Sequence, residues 1–440
     1  MVFVLNSIGA FFIAFIWLYY LRRLDVFHPE KWWALIATFL LGMCTPYFVL
    51  VVGPYIDETG FTLNGDILND FLYSVFGIGF VEETAKIFPI LLMMGIIKIA
   101  DEPIDYIVFA SASAIGFATT ENILYFQQYG SDIMITRSLL SGLGHILDTS
   151  IVAYGFVVYK FRPNINPILH FLFFLLMAAL THGLYDFFLI NSSFEGIGFF
   201  LTLFCYFIFV EIWSTINNNC LNNSPHFNKK IVIDSEKLQR ELFILFGILL
   251  AYQVFCVYLQ EDLRSQFKGI PFDFVLMGIV AFIVVIRISR FKLVPGRWIP
   301  VRIRLPFKIN NDEFGGLRLQ VRGESFNEIH INQYLGKEVL LCAANPFKTK
   351  LGKPLEAYID DKLFLLYDTT YFQARLKEPI PFSEYENQVI LLKPKTGGIT
   401  SFLNNEPIAY LLLIKKDHII SHQDPPKAFG LLETIVIREK

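Results

Sequence analysis

Long apolar blocks separated by short polar loops fill residues 2–288, and from about residue 296 a short alternation of apolar and polar positions replaces them. Nine blocks reach, or nearly reach, the ~20 residues a helix needs to cross the hydrocarbon core of a bilayer. They run approximately over 2–21, 32–52, 70–97, 104–127, 133–159, 167–190, 196–214, 240–259 and 272–288. The later alternation reads as strands: Val301-Arg302-Ile303-Arg304-Leu305, Leu317-Arg318-Leu319-Gln320-Val321 and Glu433-Thr434-Ile435-Val436-Ile437. Turn signals at Asn345-Pro346, Gly352-Lys353-Pro354, Gly397-Gly398 and Asp424-Pro425-Pro426 separate them. The pattern predicts an all-α polytopic membrane protein of about nine transmembrane helices followed by an all-β domain. The expected divisions are a seven-span core over 1–215, a loop and two further spans over 216–289, and a β-rich domain of unknown role over 290–440. Within that domain Glu338–Leu341 with Pro354–Tyr358 faintly echoes Gln388–Leu392 with Pro407–Tyr410, a weak sign of duplication.

Composition sharpens the class. Hydrophobic residues make up 54% of the 440 and charged residues only 18%, below the ~25% of soluble domains, so the chain belongs in a membrane. The five cysteines form no CxxC pair, which leaves neither a disulfide framework nor a thiolate metal site. The first block lacks a basic stretch ahead of it and a small-residue cleavage site, and is expected to be a retained span. Arg22, Arg23 and Lys31, then Lys160 and Arg162, then Lys229, Lys230 and Lys237 mark alternate loops as basic, whereas loop 53–69 is acidic. Basic loops stay cytoplasmic, so the N-terminus is expected outside and the β domain in the cytoplasm. Loops 98–103 and 260–271 fit this alternation less cleanly. The run Arg287, Arg290, Lys292, Arg297, Arg302, Arg304 and Lys308 reads as a stop-transfer flank. No nucleic-acid partner is expected, and the sequence leaves the oligomeric state open.

The third block holds Glu82, Glu83 and Lys86 near mid-depth. A central charge costs about 2.5–3.5 kcal/mol on insertion scales, so such groups mark a cavity or a partner. Spacings of three and four put all three on one helical side. The fourth block adds Glu121 and Asn122, the fifth His145 and Asp148, the sixth His182 and Asp186. Polar glue accounts for one pair but not for four consecutive helices, because intramembrane hydrogen bonds return only ~0.6 kcal/mol on average. Counting from the expected outer face, the groups can converge on one polar cavity opening outward. His170 and Glu211, without partners at helical spacing, are expected to snorkel toward the interface.

Carboxylates beside histidines suit activation of water by general-base catalysis. They suit equally a divalent metal such as zinc, with Glu83, Glu121, His145 and His182 as candidate ligands beside Glu82, or a proton relay in a transporter. Lys86, one turn from the glutamates, would repel a dication sharing its pocket, and this favours a metal-free glutamate mechanism.

At these residues the chain resembles the PrsW-type intramembrane proteases, relatives of the CAAX prenyl endopeptidases and bacterial Abi membrane proteins. The family's E-E-x-x-K, F-x-x-x-E-N and H-x-x-x-D motifs read here as Glu82-Glu83-Thr84-Ala85-Lys86, Phe117-Ala118-Thr119-Thr120-Glu121-Asn122 and His182-Gly183-Leu184-Tyr185-Asp186. The resemblance covers about residues 30–215 and is specific, since all three motifs occur in order. Where the CAAX branch carries a histidine in the second motif, this chain has Glu121. The resemblance implies an endopeptidase of a bacterial inner membrane that cleaves single-span, anti-sigma-factor-like proteins near the outer leaflet. It implies Glu82 as the base, Glu83 held by Lys86, His182 polarising the carbonyl or binding a metal, and Glu121, Asn122 and Asp186 orienting and donating. Phe117, His145 and Asp148 complete the polar core. An ion-coupled transporter and an inactive protease-fold scaffold are the alternatives.

Overall fold

The computed structural model describes residues 2–97, 99–161, 167–228, 234–260, 272–291, 293, 295–301, 307–311, 317–321, 326–344, 351, 353–365, 369–380, 385–395, 407–415 and 429–440. The chain divides into two compact units. One comprises Met1–Phe227, Lys237–Ser289 and Pro295–Arg322, the other Asn228–Glu236, Arg290–Val294 and Gly323–Lys440.

The first unit is helical: α1 (Val2–Leu24), α2 (Trp32–Cys44), α3 (Pro46–Glu58), α4 (Ile67–Leu72), α5 (Phe80–Leu91), α6 (Pro103–Tyr129), the single turn α7 (Met134–Thr136), α8 (Leu143–Phe161), α9 (Pro167–Ile190), α10 (Gly198–Asn222), α11 (Ser235–Gln260) and α12 (Phe272–Ile288). Among the described residues, seven segments are long and apolar enough to cross a membrane: Val2–Leu24, Trp32–Glu58, Pro103–Tyr129, Ser131–Phe161, Ile168–Ile190, Gly198–Asn222 and Ser235–Leu259. The expected third span is helical from 67 to 96 but carries too many charges to qualify. The ninth coincides with α12 (Phe272–Ile288, 17 residues), of which the apolar stretch Leu276–Ile288 is fully described. Both stay outside the seven.

Packing follows residue size. In α6 every residue from Pro103 to Thr119 is buried, and the small side chains of Ala110, Ser111, Ala112, Ser113, Ala114 and Gly116 let neighbouring helices come close. Among membrane helices, small residues at the contact take the place of a hydrophobic driving force. The outer helices present Phe3, Leu50, Ile168, Phe200 and Ile244, each more than half exposed, as a surface meant for lipid requires. Three π-helical turns interrupt the regular helices, at Tyr73–Gly79, Leu92–Ile96 and Arg137–Gly142. Such turns recur at functional sites because they re-aim the side chains that follow.

Two expectations are corrected. Glu211 does not snorkel: it is buried, and its Oε2 accepts from Nε of the buried Arg287 at 2.6 Å. Arg287 is accordingly no flanking charge but the partner that lets α10 hold a carboxylate in the interior. His170 is half-buried beside Phe174 with its Nε2 enclosed.

A two-stranded hairpin, β1 (Phe307–Asn311) with β2 (Leu317–Val321), groups with the helical unit. The second unit is a closed antiparallel barrel of β3 (Glu338–Ala343), β4 (Leu355–Leu365), β5 (Thr369–Leu376), β6 (Tyr385–Pro394), β7 (Ile408–Lys415) and β8 (Phe429–Glu439), with β3 pairing β8 to close it. Period-2 alternation sends Val339 and Leu341, Ile359, Phe372, Ile390 and Leu392, Leu411, Ile435 and Ile437 into one core. Ile331 of α13 (Phe326–Asn332) joins them. The strands expected at 317–321 and 433–437 are present, and the two echoing stretches fall in the hairpins β3–β4 and β6–β7. From Arg302 to Leu305 the remaining expected strand lies outside the described residues. So do Asn345-Pro346, Gly352, Gly397-Gly398, Asp424-Pro425-Pro426 and the basic residues Arg162, Lys229, Lys230, Lys292 and Arg304.

Candidate active site

Helical spacing builds the first part of the site. On α5, Lys86 lies three residues from Glu83 and four from Glu82, and its buried ammonium reaches Glu83 Oε1 at 2.8 Å and Glu82 Oε2 at 3.2 Å. The second part needs α9 to come close. Gly183 allows this, since a Cβ there would stand 2.6 Å from Val75 Cα and 2.7 Å from Val75 N. Across that crossing His182 Nδ1 meets Glu83 Oε1 at 2.9 Å, while its Nε2 faces Glu82 Oε2 at 3.5 Å and Asp186 Oδ2 at 3.4 Å.

Lys86 has a third partner that local spacing cannot supply, His145 Nδ1 on α8 at 2.9 Å. An ammonium has three N–H donors, and here three acceptors meet them. With Nδ1 accepting, the proton of a neutral His145 is assigned to Nε2, which faces Glu121 Oε2 at 3.0 Å. Glu121 also accepts from Arg137 Nη2 at 2.6 Å, and Arg137 Nε donates to Asn122 Oδ1 at 2.6 Å. Thr149 Oγ1 donates to the other Glu83 oxygen at 2.7 Å, and Thr181 Oγ1 to Asp148 at 2.6 Å. The Phe117 ring lies against the Lys86 ammonium, 4.2 Å from centroid to Nζ, and 5.3 Å from the His145 ring.

All ten residues singled out from sequence therefore belong to one assembly. Glu82, Glu121, His145, Asp148, His182 and Asp186 line a pocket of about 270 Å³. Glu83, Lys86, Asn122 and Phe117 stand behind it and fix those that do. His145 and Asp148 share a helix face yet do not bond to each other: one turns to Lys86 and Glu121, the other to Thr181 and toward His182, whose Nδ1 is 3.9 Å away. Sequence reasoning missed Arg137, which lines the pocket and stacks over Tyr125 at 3.9 Å. The available signal was an arginine inside the fifth apolar block.

Two donor sets invite a metal, Glu82 with His145 and His182, and Glu83 with Asp148 and His182, each with ligand atoms within 4.8 Å of one another. Two imidazoles and a carboxylate are ligands that zinc takes. The wiring works against it. Lys86 occupies the Nδ1 lone pair of His145, the proton stands on Nε2, and the same ammonium touches the Glu82 oxygen a dication would need. Lys86 thus competes with a dication for the first set, and in the second set its ammonium meets Glu83 Oε1 at 2.8 Å.

Comparison with known proteins agrees with the motifs. The profile of the family described as "PrsW family intramembrane metalloprotease" matches residues 30–213. Protease PrsW of Bacillus subtilis (strain 168) is 30% identical over 183 residues, covering 41% of this chain and 80% of the relative. Protease PrsW of Clostridioides difficile (strain 630) is 26% identical over 222 residues, 49% of this chain and 89% of the relative. That of Geobacillus kaustophilus (strain HTA426) is 38% identical over 104 residues, 24% of this chain and 45% of the relative. No solved structure matches. With the E-E-x-x-K, E-N and H-x-x-x-D residues gathered around one pocket among apolar helices, the chain belongs to the PrsW family of intramembrane proteases.

Proposed function

We propose that the pocket hydrolyses a peptide bond of a single-span membrane protein, of the anti-sigma-factor class, by a metal-free mechanism with Glu82 as base. The observation that carries this is the pairing of Glu82 Oε2 and His182 Nε2 across 3.5 Å at the pocket wall. A water bound there is within reach of both. Glu82 removes its proton as the oxygen bonds to the carbonyl carbon, and His182 donates from Nε2 to the developing oxyanion. Protonated Glu82 then gives its proton to the departing nitrogen as the C–N bond breaks, leaving a new carboxylic acid and an amine, and the acid's remaining proton passes to the amine to give carboxylate and ammonium. Glu83 orients His182 through Nδ1, Lys86 holds Glu82 and Glu83, and Glu121 with Arg137 fixes His145. Both ring nitrogens of His182 face carboxylate oxygens, which only accept, so the ring carries both protons.

The test is cleavage of a single-span substrate by full-length protein in liposomes, with and without a chelator. Turnover is expected to survive chelation within about twofold. Loss of activity on chelation, with restoration by added zinc, would replace this mechanism with a metal-dependent one.

The same reading places nine spans in a bacterial inner membrane, with the N-terminus outside and the barrel in the cytoplasm. Its support is the alternation of basic and acidic loops. A cysteine introduced at the exposed Glu378, in a chain otherwise free of cysteine, is expected to resist an impermeant thiol reagent in intact cells and to react after lysis. Labelling before lysis would reverse the orientation.

A further inference from the structure

We propose that the helical unit carries a zinc site distant from the catalytic pocket, with His28, Asp101 and His226 as its ligands. The three come from separate stretches: the α1–α2 loop, the residues preceding α6 and those following α10. Glu121 of the pocket lies 18 residues beyond Pro103 on α6, about 27 Å along the helix axis at 1.5 Å per residue. The triad thus lies by the N-terminal end of α6 and the pocket well along it toward the other end.

Geometry favours an ion over a simple ion pair. His28 Nδ1 and His226 Nε2 both face the same oxygen, Asp101 Oδ1, at 3.4 and 3.5 Å. Donors about 2.0–2.2 Å from a tetrahedral zinc stand roughly 3.3–3.5 Å from each other. The two imidazole rings lie 4.6 Å apart, and side-chain exposures of 58%, 53% and 41% for His28, Asp101 and His226 leave a fourth position open to solvent. Imidazole nitrogens select zinc over magnesium or calcium, which take oxygen.

A second observation comes from the residues behind the triad. Asp25, Glu102 and Asp105 are fully buried with ligand oxygens within 4.8 Å of one another, and Asp25 and Glu102 share a side-chain hydrogen bond. These carboxylates also hold the backbone of the ligand loops. Asp105 accepts from the Asp101 and Glu102 N–H groups at 2.8 and 2.9 Å, and Asp25 from Glu30 N–H at 2.6 Å. Glu102 accepts from the Ser224 hydroxyl, whose oxygen takes the His226 N–H at 3.0 Å. This is the outer support a metal site needs to keep its ligands aimed. Asp25, Glu30, Asp101, Glu102 and Asp105 crowd one region, and among the described residues the two histidines are the only cationic side chains in their ion pairs. A dication at the triad ties the three loops together.

The test measures zinc bound per chain on full-length protein in detergent, stripped with chelator, desalted and dialysed against Zn²⁺. The wild type is expected to hold one more zinc than the His28→Ala/His226→Ala variant. Zinc is expected to raise the melting midpoint of the wild type by several degrees and to leave that of the variant unchanged. Asp101→Asn, which keeps the side chain's shape, is expected to lose the same ion and guards against a folding defect in the double variant. The extra zinc is expected to persist in His182→Ala, and hydrolysis by the double variant to remain at wild-type rate. Equal zinc content in the wild type and both far-site variants, or a zinc lost only in His182→Ala, would overturn the proposal.

Discussion

Replacing Glu82 with glutamine is expected to lower turnover by about 10²–10⁴-fold, the usual contribution of a general base, while the protein remains inserted and folded. Glutamine keeps the length and an oxygen that accepts from Lys86 at the place where Glu82 Oε2 now lies, 3.2 Å from Nζ. It cannot take a proton from water. The melting midpoint in detergent is expected to move little, because the exchange removes a negative charge from a pocket that has carboxylates in excess. The comparison is between cleavage rate in liposomes and midpoint, for wild type and variant prepared identically. A variant that cleaves at the wild-type rate would show that the base is another carboxylate, with Asp186 the first to examine, since its Oδ2 is 3.4 Å from His182 Nε2.

Lys86→Met is expected to remove activity and stability together. Lys86 is fully buried, and its ammonium is the meeting point of Glu82, Glu83 and His145. Methionine fills most of the volume but leaves Glu83, itself fully buried, without its ammonium partner. Breaking a buried pair from one side costs about 3–5 kcal/mol, because the remaining charge is uncompensated. Against total stabilities of about 5–15 kcal/mol, this should appear as a large drop in the melting midpoint. Adding Glu83→Gln to Lys86→Met removes the stranded charge, so the double variant is expected to recover much of the stability and none of the turnover. A Lys86→Met protein as stable as the wild type would mean that Lys86 is not the centre of the network. Recovery of stability without activity separates the structural part of the lysine's role from the chemical part.

The sequence by itself determined whatever depends on neighbours along one helix or strand. Apolar block length located seven of the nine expected spans among the described residues, and period-2 alternation located β2 and β8. Spacings of three and four joined Glu82 and Glu83 to Lys86, and His182 to Asp186, since those residues share a face whatever surrounds the helix. Polar groups on four consecutive blocks were enough to expect one cavity, because each buried charge has an insertion cost that only company offsets.

The tertiary structure decided everything that depends on how helices are rotated and how closely they approach. The third acceptor of Lys86 is on α8, and the contact of His182 with Glu83 requires the Gly183 crossing over Val75; neither distance is encoded in one helix's periodicity. Arg137 enters the site because it follows onto a π-helical turn and points at Glu121 and Asn122, whereas in sequence it is a lone arginine in an apolar block. Glu211 and Arg287, 76 residues apart, looked like separate interface charges until α10 and α12 brought them within 2.6 Å. Closure of the barrel rests on the pairing of β3 with β8, at opposite ends of their domain. In each case the deciding contact joins residues far apart in the chain, and its energy comes from desolvation that exists only once the helices or strands have packed.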